Sequence, residues 1–215
     1  MSRIFALLCL AASLQGETIT AAFSDPSRPG ILKLRQSNGS ITVRGYSGKD
    51  VLIEANPNNK HGKSITRTQE DGNRLTITLD PNSSATIQVP FQTALQLQSS
   101  NGSIRVEKVQ GEIDVQSSNG SIDVRGAASA VVAHSTNGSI NVAFDKVDAR
   151  RPMSFSSMNG KIDVIFPADL KANLKVQHQR GSLHCDFDLN TNAPGPEIQF
   201  KSYNGGVNIR RAQQK

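Results

Sequence analysis

The most regular feature of the chain is an alternation of apolar and polar residues that restarts after each of a series of turns. After the turn at Asn101 and Gly102, Ile104 and Val106 are apolar, whereas Arg105 between them is charged. Successive side chains of a strand point to opposite faces, so the pattern predicts a strand with one buried face. The same inward pair recurs at Ile122/Val124, Ile140/Val142, Ile162/Val164, Leu183/Cys185 and Val207/Ile209.

A second alternating segment precedes each turn and aligns backward from it. A serine often follows its inward pair, as at Ser99, Ser117 and Ser135. Length varies only between the two strands, at residues 148–151 and 190–196, which predicts that irregular loops lie at one corner of each unit. The inward pairs are Leu32/Leu34, Leu95/Leu97, Ile113/Val115, Val131/Ala133, Met153/Phe155, Leu174/Val176 and Ile198/Phe200.

The turns themselves are interpreted as structural corners and not as a binding site. Glycine permits backbone angles that other residues avoid, and asparagine tolerates them. At Arg180-Gly181 the glycine remains although asparagine is missing, as a backbone requirement predicts. The predicted turn residues are Asn38, Gly39, Asn101, Gly102, Asn119, Gly120, Asn137, Gly138, Asn159, Gly160, Gly181, Asn204 and Gly205.

These patterns predict an all-β, single-domain β-solenoid, similar to a parallel β-helix, with about seven to eight coils of about 18 to 24 residues. Residues of the same type recur one full unit apart, which is what stacking in register selects. The alternative is an antiparallel β meander or sandwich, in which each Asn-Gly is a type I′ hairpin turn. Residues 38–100 are less regular and have room for about three units.

The N-terminus has the layout of a secretory signal. Arg3 is followed by a short apolar run, IFALLCLAA, which is too short to span a membrane. We therefore expect a signal peptide over residues 1–16, cleaved after Ser13 or Gly16, and no transmembrane segment after its removal. The expected location is the periplasm, the outer surface or the medium. Residues 17–30 are predicted as an N-terminal cap, 31–210 as the solenoid and 211–215 as a polar tail.

Charge and cysteine content narrow the function classes. The formal net charge is +6 over 215 residues, without a basic face that would predict nucleic-acid binding. Cys9 would leave with the signal, so the remaining Cys185 predicts no intramolecular disulfide. It occupies an inward column and is expected to be a buried thiol. We expect no cofactor.

Candidate chemical sites are few. Asp114, Asp123 and Asp163 point outward from mid-strand and form no carboxylate ladder, so no metal site is predicted. The histidines fall on different columns. The densest charged stretch lies at the variable corner, where it could form a ligand loop or, in a carbohydrate-active β-helix enzyme, a substrate groove. This stretch contains Asp145, Lys146, Asp148, Arg150 and Arg151.

The repeated S-x-N-G-x-I-x-V units over about residues 30–210 resemble the bacterial putative-adhesin family of unknown function, whose members are exported β-solenoid repeat domains. The resemblance implies a non-enzymatic, adhesin-like or structural binding module of the bacterial envelope or cell surface. Its partner would be a surface protein or a glycan. The family supplies no catalytic residues. A polysaccharide lyase or hydrolase on a β-helix is the alternative function.

Overall fold

A computed structural model describes residues 17–57, 65–147, 151–189 and 195–213, and within these ranges all regular elements are β-strands. In chain order the strands are β1 Glu17–Ala21, β2 Ile31–Gln36, β3 Ile41–Tyr46, β4 Val51–Pro57, β5 Ile65–Asp71, β6 Arg74–Leu79, β7 Ser83–Pro90, β8 Ala94–Ser99, β9 Ile104–Glu107, β10 Ile113–Ser117, β11 Ile122–Ala127, β12 Val131–Ser135, β13 Ile140–Phe144, β14 Met153–Ser157, β15 Ile162–Phe166, β16 Asn173–Arg180, β17 Leu183–Cys185, β18 Glu197–Asn204 and β19 Val207–Arg211.

The strands form two facing sheets. One has ten strands in the order β1-β4-β7-β3-β9-β11-β13-β15-β19-β17, and the other has nine in the order β16-β18-β14-β12-β10-β8-β2-β6-β5. A coil consists of one strand from each sheet. The described strands make eight coils, which stack in the order β6–β7, β2–β3, β8–β9, β10–β11, β12–β13, β14–β15, β18–β19 and β16–β17.

Neighbouring coils pair in parallel and in register. Ile122 lies between Ile104 and Ile140, and Val124 lies between Val106 and Val142. Identical residue types therefore meet across the ladder, which confirms the β-solenoid. The antiparallel meander is wrong for the stack of eight coils.

The predicted inward columns form the core. Ile104, Ile122, Ile140 and Ile162 are all fully buried, and burying each such side chain stabilises the fold by about 1.5–3 kcal/mol. The exception is the coil β16–β17. Leu183 is 37% exposed and Cys185 is half-buried, because β17 is the last strand of its sheet and has a neighbour on one side only.

The turns from the nine-stranded to the ten-stranded sheet, between β2 and β3, β8 and β9 and their equivalents, form what we call the glycine corner. A Cβ built on Gly120 would lie 2.5 Å from the carbonyl carbon of Gly102, and one on Gly138 would lie 2.5 Å from that of Gly120. Successive turns therefore pack backbone against backbone, and only glycine leaves room. At Gly39, Gly102, Gly120, Gly138, Gly160 and Gly205 this crowding, and not an unusual backbone angle, explains the glycine. Gly181 differs, because its φ of 113° is of the kind that the sequence predicted for these turns. Among the described residues, left-handed φ values occur at Gly72, Asn73, Lys108, Gly126, Gly181 and Gly195.

Asparagine has its own role at this corner. Nδ2 of Asn119 donates to Oδ1 of Asn101 over 2.8 Å, and Nδ2 of Asn137 donates to Oδ1 of Asn119 over 2.8 Å. The bonds continue from turn to turn, so the side chains form a hydrogen-bonded ladder along the rod. Its members in spatial order are Asn82, Asn38, Asn101, Asn119, Asn137, Asn159 and Asn204.

The end of the stack at β6–β7 is built differently from the middle. β4 pairs antiparallel with β7, β1 pairs antiparallel with β4, and β5 pairs antiparallel with β6. Residues 38–100 therefore contain one complete coil, β6–β7, and the two antiparallel strands β4 and β5. The sequence had left room for three similar units there. The turn from β5 to β6 has positive φ at Gly72 and Asn73, 57° and 65°, as a type I′ hairpin requires.

The order of coils departs from chain order at both ends of the rod. The coil β6–β7 lies outside β2–β3, and the last coil in the chain, β18–β19, lies inside β16–β17. At the C-terminal end, the chain forms the outermost coil β16–β17 first and then returns, so that β18–β19 occupies the position next to β14–β15.

Candidate ligand-binding cleft

The loops that return the chain from the ten-stranded to the nine-stranded sheet form the variable corner. Asp145 and Lys146 lie there and are exposed. Arg151 is also exposed, and its Nε lies 2.8 Å from Oε1 of Glu112. Asp148 and Arg150 lie outside the described residues. Two depressions of the described surface are considered below, and the described members of the predicted ligand loop line neither of them.

The larger depression is a cleft of about 330 Å³ at the same corner but nearer the other end of the rod. Its walls come from the segments 23–30, 46–49 and 90–93, with Gln110 from the next loop. These are corner loops of successive coils, which the sheets hold in register. The volume lies at the lower end of the range for small-molecule pockets, about 300–1,000 Å³.

Glycines make room for the aromatic rings of the cleft. A Cβ on Gly30 would lie 2.5 Å from Cδ1 of Phe23. One on Gly45 would overlap the backbone carbonyl of Lys108 and lie 3.0 Å from Cδ1 of Phe91. A Cβ on Gly48 would overlap the ring of Tyr46. The Tyr46 hydroxyl donates to the backbone oxygen of Asp50 over 2.7 Å. The rings are therefore set in place by backbone packing.

A buried asparagine fixes the N-terminal wall. Asn73 is 6% exposed and lies in the β5–β6 hairpin. Its Oδ1 accepts from the backbone N–H of Asp25 over 3.0 Å, and its Nδ2 donates to the backbone oxygens of Arg28 and Pro29, each over 3.2 Å. The hairpin thus determines where Arg28 stands at the rim.

The charged groups at the cleft are basic. Arg28 and Lys49 line it, and no aspartate or glutamate does so among the described residues. Asp25 does not line the cleft, but its Oδ2 accepts a hydrogen bond from Nε of Arg28 over 2.7 Å. Hydrogen bonds from Ser27, together with the charge of Arg28, lower the pKa of Asp25. Burial, together with the nearby charge of Asp50, raises the pKa of Tyr46, so its phenol stays protonated at neutral pH.

A smaller groove of about 190 Å³ lies on the outer face of the nine-stranded sheet. Lys33, Arg35 and Asp114 line it together with glutamines. Asp114 is the single carboxylate among its described lining residues, whereas glycoside hydrolysis commonly uses two carboxyl groups at a set separation. Neither depression brings together the pair that such a reaction needs.

The other titratable candidates are dispersed. His134 and His178 are exposed, Nε2 of His184 lies 2.9 Å from Oδ1 of Asp186, and His61 lies outside the described residues. Burial, with the charges of Asp186 and Asp188, raises the pKa of the Cys185 thiol, which disfavours the reactive thiolate. Within the described ranges, no three His, Cys, Asp or Glu residues come close enough to hold a metal ion.

Two findings bear on the N-terminal expectation. The predicted signal peptide, residues 1–16, lies outside the described residues. In the part of the chain that is described, no helix has the length and hydropathy needed to span a bilayer.

Sequence reasoning missed the cleft. Ten aromatic residues occur in the chain. Tyr46 ends β3 and Phe91 directly follows β7, both at the variable corner and outside the predicted inward columns. That displacement was the available signal. The register that brings residues 46 and 91 together depends on the order of the coils, which the repeat does not reveal.

The chain was compared with known proteins and protein families. The chain resembles a solved structure described as a "putative cell adhesion protein" from Clostridium sporogenes, with 11% identity, a TM-score of 0.49 and coverage of 92% of this chain and 100% of that one. It also resembles a "putative adhesin" from Bacteroides fragilis, with 14% identity, a TM-score of 0.48 and coverage of 93% and 98%. No curated protein matches the sequence. Residues 32–197 match the family described as Toastrack DUF4097, and the chain therefore belongs to the Toastrack DUF4097 family.

Proposed function

We propose that the chain is an exported, non-catalytic binding module, adhesin-like in role, that acts at the bacterial envelope or cell surface. The observation that carries the proposal is the cleft at the variable corner, which has aromatic rings and basic groups but no lining carboxylate among the described residues. Loops held by a rigid scaffold are common places for recognition. The regular faces and the glycine corner supply the rod that holds those loops.

Binding is tested by screening the purified chain against arrays of bacterial and host glycans and against surface proteins, with a polysaccharide turnover assay on the same preparations. We expect saturable binding without turnover. The matched variants are Phe91→Ala, which removes a ring from the cleft, and Met158→Ala, which removes an exposed apolar side chain from the glycine corner. Reproducible turnover by the purified chain would overturn the non-catalytic assignment.

Export is tested separately. Expression of the full chain should yield a processed product outside the cytoplasm whose N-terminus, mapped by mass spectrometry, follows Ser13 or Gly16. Leu7→Arg interrupts the apolar run and should leave the chain unprocessed, whereas Thr18→Arg, beyond the run, should not. An unprocessed cytoplasmic product from the wild-type gene would contradict export.

A further inference from the structure

We propose that the cleft binds a saccharide that carries a carboxylate, such as a uronic acid unit of an acidic polysaccharide. The inference rests on the proposed binding function and names its ligand class. It is argued from the three kinds of group that the cleft combines: aromatic rings, amide and hydroxyl groups, and two cations with no carboxylate among the described lining residues.

The cationic side chains of the cleft, Arg28 and Lys49, have hydrogen-bond donors that are not paired with any described residue. Lys49 is exposed and makes no ion pair with any described residue. Arg28 uses Nε for Asp25, at 2.7 Å from Oδ2, and within the described part of the chain its two Nη groups have no acceptor. A guanidinium edge binds a carboxylate through parallel hydrogen bonds, so the Nη edge of Arg28 and the ammonium group of Lys49 can hold one anionic group. Asp25 on Nε offsets part of the charge of Arg28, which leaves Lys49 as the unpaired cation of the described rim.

The uncharged polar side chains of the cleft can form hydrogen bonds with the hydroxyl groups of a sugar. Nε2 of Gln92 donates to Oε1 of Gln110 over 2.7 Å, which leaves the Oε1 of Gln92 as an acceptor and the Nε2 of Gln110 as a donor at the same rim. Both glutamines are exposed, so these amide groups are accessible to the hydroxyls of a sugar. Thr93, which also lines the cleft, is 1% exposed and its Oγ1 has no hydrogen-bond partner among the described residues.

The apolar groups select a ring over a bare anion. Tyr46 and Phe91 are half-buried and both line the cleft, so each keeps part of its surface accessible. The C–H face of a pyranose packs against aromatic surface, whereas phosphate or sulfate alone gains nothing from it. Rings, amides and an open cation together fit an acidic sugar better than a neutral sugar or an inorganic anion.

The test measures binding of the mature chain to tetragalacturonate, to a hyaluronan tetrasaccharide and to the methyl ester of each by calorimetry. The ester keeps the ring and hydroxyls but removes the charge. We expect the acid to bind at least about tenfold more tightly than its ester, since hydrogen bonds to charged groups are the stronger ones. Raising the salt concentration should weaken binding of the acid and leave binding of the ester nearly unchanged.

Variants locate the site. Lys49→Gln and Arg28→Gln should each weaken binding of the acid about tenfold and leave binding of the ester nearly unchanged, whereas Phe91→Ala should weaken both. The control is Lys146→Gln, an exposed lysine of the same corner outside the cleft, which should change neither. Circular dichroism and thermal unfolding establish that each variant is folded.

The outcomes separate this inference from the broader one. Equal binding of acid and ester, or acid binding that survives Lys49→Gln, Arg28→Gln and Phe91→Ala, would overturn the inference and leave a binding module in place. Binding of an acidic peptide or protein with no sugar bound would do the same. If no array component binds, the proposed function fails as well.

Discussion

The side-chain amide of Asn204 donates to Oδ1 of Asn159 over 2.9 Å, although 45 positions separate the two residues. The next turn of this kind in the chain after Asn159, at Arg180 and Gly181, lies one coil beyond the turn at Asn204. The last coil is therefore an insertion into the stack, between β14–β15 and β16–β17. Phe200 of that coil stacks on Phe155 with ring centroids 5.2 Å apart.

The inserted order predicts which engineered disulfide can form. Asp163 pairs with Asn208 across β15 and β19, and Asn208 pairs with His184 across β19 and β17. Adjacent strands are about 4.8 Å apart, within the reach of a disulfide, whereas positions two strands apart exceed the limit of about 7 Å. In a Cys9→Ser, Cys185→Ser background, Asp163→Cys with Asn208→Cys should oxidise readily, and Asp163→Cys with His184→Cys should not. Peptide mapping distinguishes the two, and the opposite result would show that the coils stack in chain order.

Close packing at the glycine corner predicts a large effect from one methyl group. Gly120→Ala should lower the free energy of unfolding by about 1–3 kcal/mol or more, because the new Cβ overlaps the Gly102 carbonyl group and the backbone cannot move aside. The control is Gly72→Asn, since Gly72 has a left-handed φ and open space around it and asparagine adopts that conformation. Urea denaturation measures both. A neutral Gly120→Ala would show that the turns do not touch.

The asparagine ladder predicts a smaller and local cost. Asn119→Ala removes one donated and one accepted side-chain bond, and should destabilise the chain by about 1 kcal/mol because these groups are exposed and water replaces part of the loss. The control is Ser118→Ala, an exposed neighbour outside the ladder. If both substitutions have the same effect on chemical denaturation, the ladder contributes nothing to stability.

An ion pair between β15 and β19 predicts acid sensitivity. Burial acts to raise the pKa of Asp163, but hydrogen bonds from Arg210 and Lys161 outweigh it, so the pKa is lowered on folding. A lowered folded-state pKa stabilises the protein above the unfolded pKa of about 3.9, and this contribution disappears as the pH falls through the folded value. Unfolding free energies measured from about pH 6 to about pH 3 should decline less in Asp163→Asn than in the wild type.

The control for that series is Asp169→Asn, which removes an exposed carboxylate from the loop between β15 and β16. Its decline toward low pH should match that of the wild type. A wild-type slope in Asp163→Asn would mean that the pair with Arg210 is not formed in solution. Arg210 Nη2 lies 2.7 Å from Asp163 Oδ1 in the structure.

The coils could be predicted from the sequence because the buried face of every strand must be apolar. Ile104, Ile122 and Ile140 show this requirement at the same position of three successive units. It did not predict their order, because each coil presents nearly the same inward pair and could pair with several others. A finer signal was present. Asn204 continues the asparagine ladder, whereas Arg180 cannot, so the amide hydrogen bond favours the last coil as the neighbour of Asn159.

The predicted reason for the turn glycines, an unusual backbone angle, holds at Gly181 but not at the crowded turns such as Gly120. Glycine and asparagine occur together both in left-handed turns and where backbones pack closely, and the sequence does not separate the two causes. The cleft was harder still, because Tyr46, Phe91 and Gln110 meet only after the coils are placed. Thr93 looks like an ordinary loop residue until its burial is known.

The position of the last coil has a consequence for how the rod is made. A ribosome completes β16–β17 before it has made β18–β19, at roughly 5–20 residues per second, so the newly made outer coil must wait for its neighbour or rest temporarily against β14–β15. Growth of the rod from one end, one coil at a time, is therefore impossible at this end. A stop codon that removes only the final strands would also leave the finished coil β16–β17 without the coil that it pairs with in the complete rod.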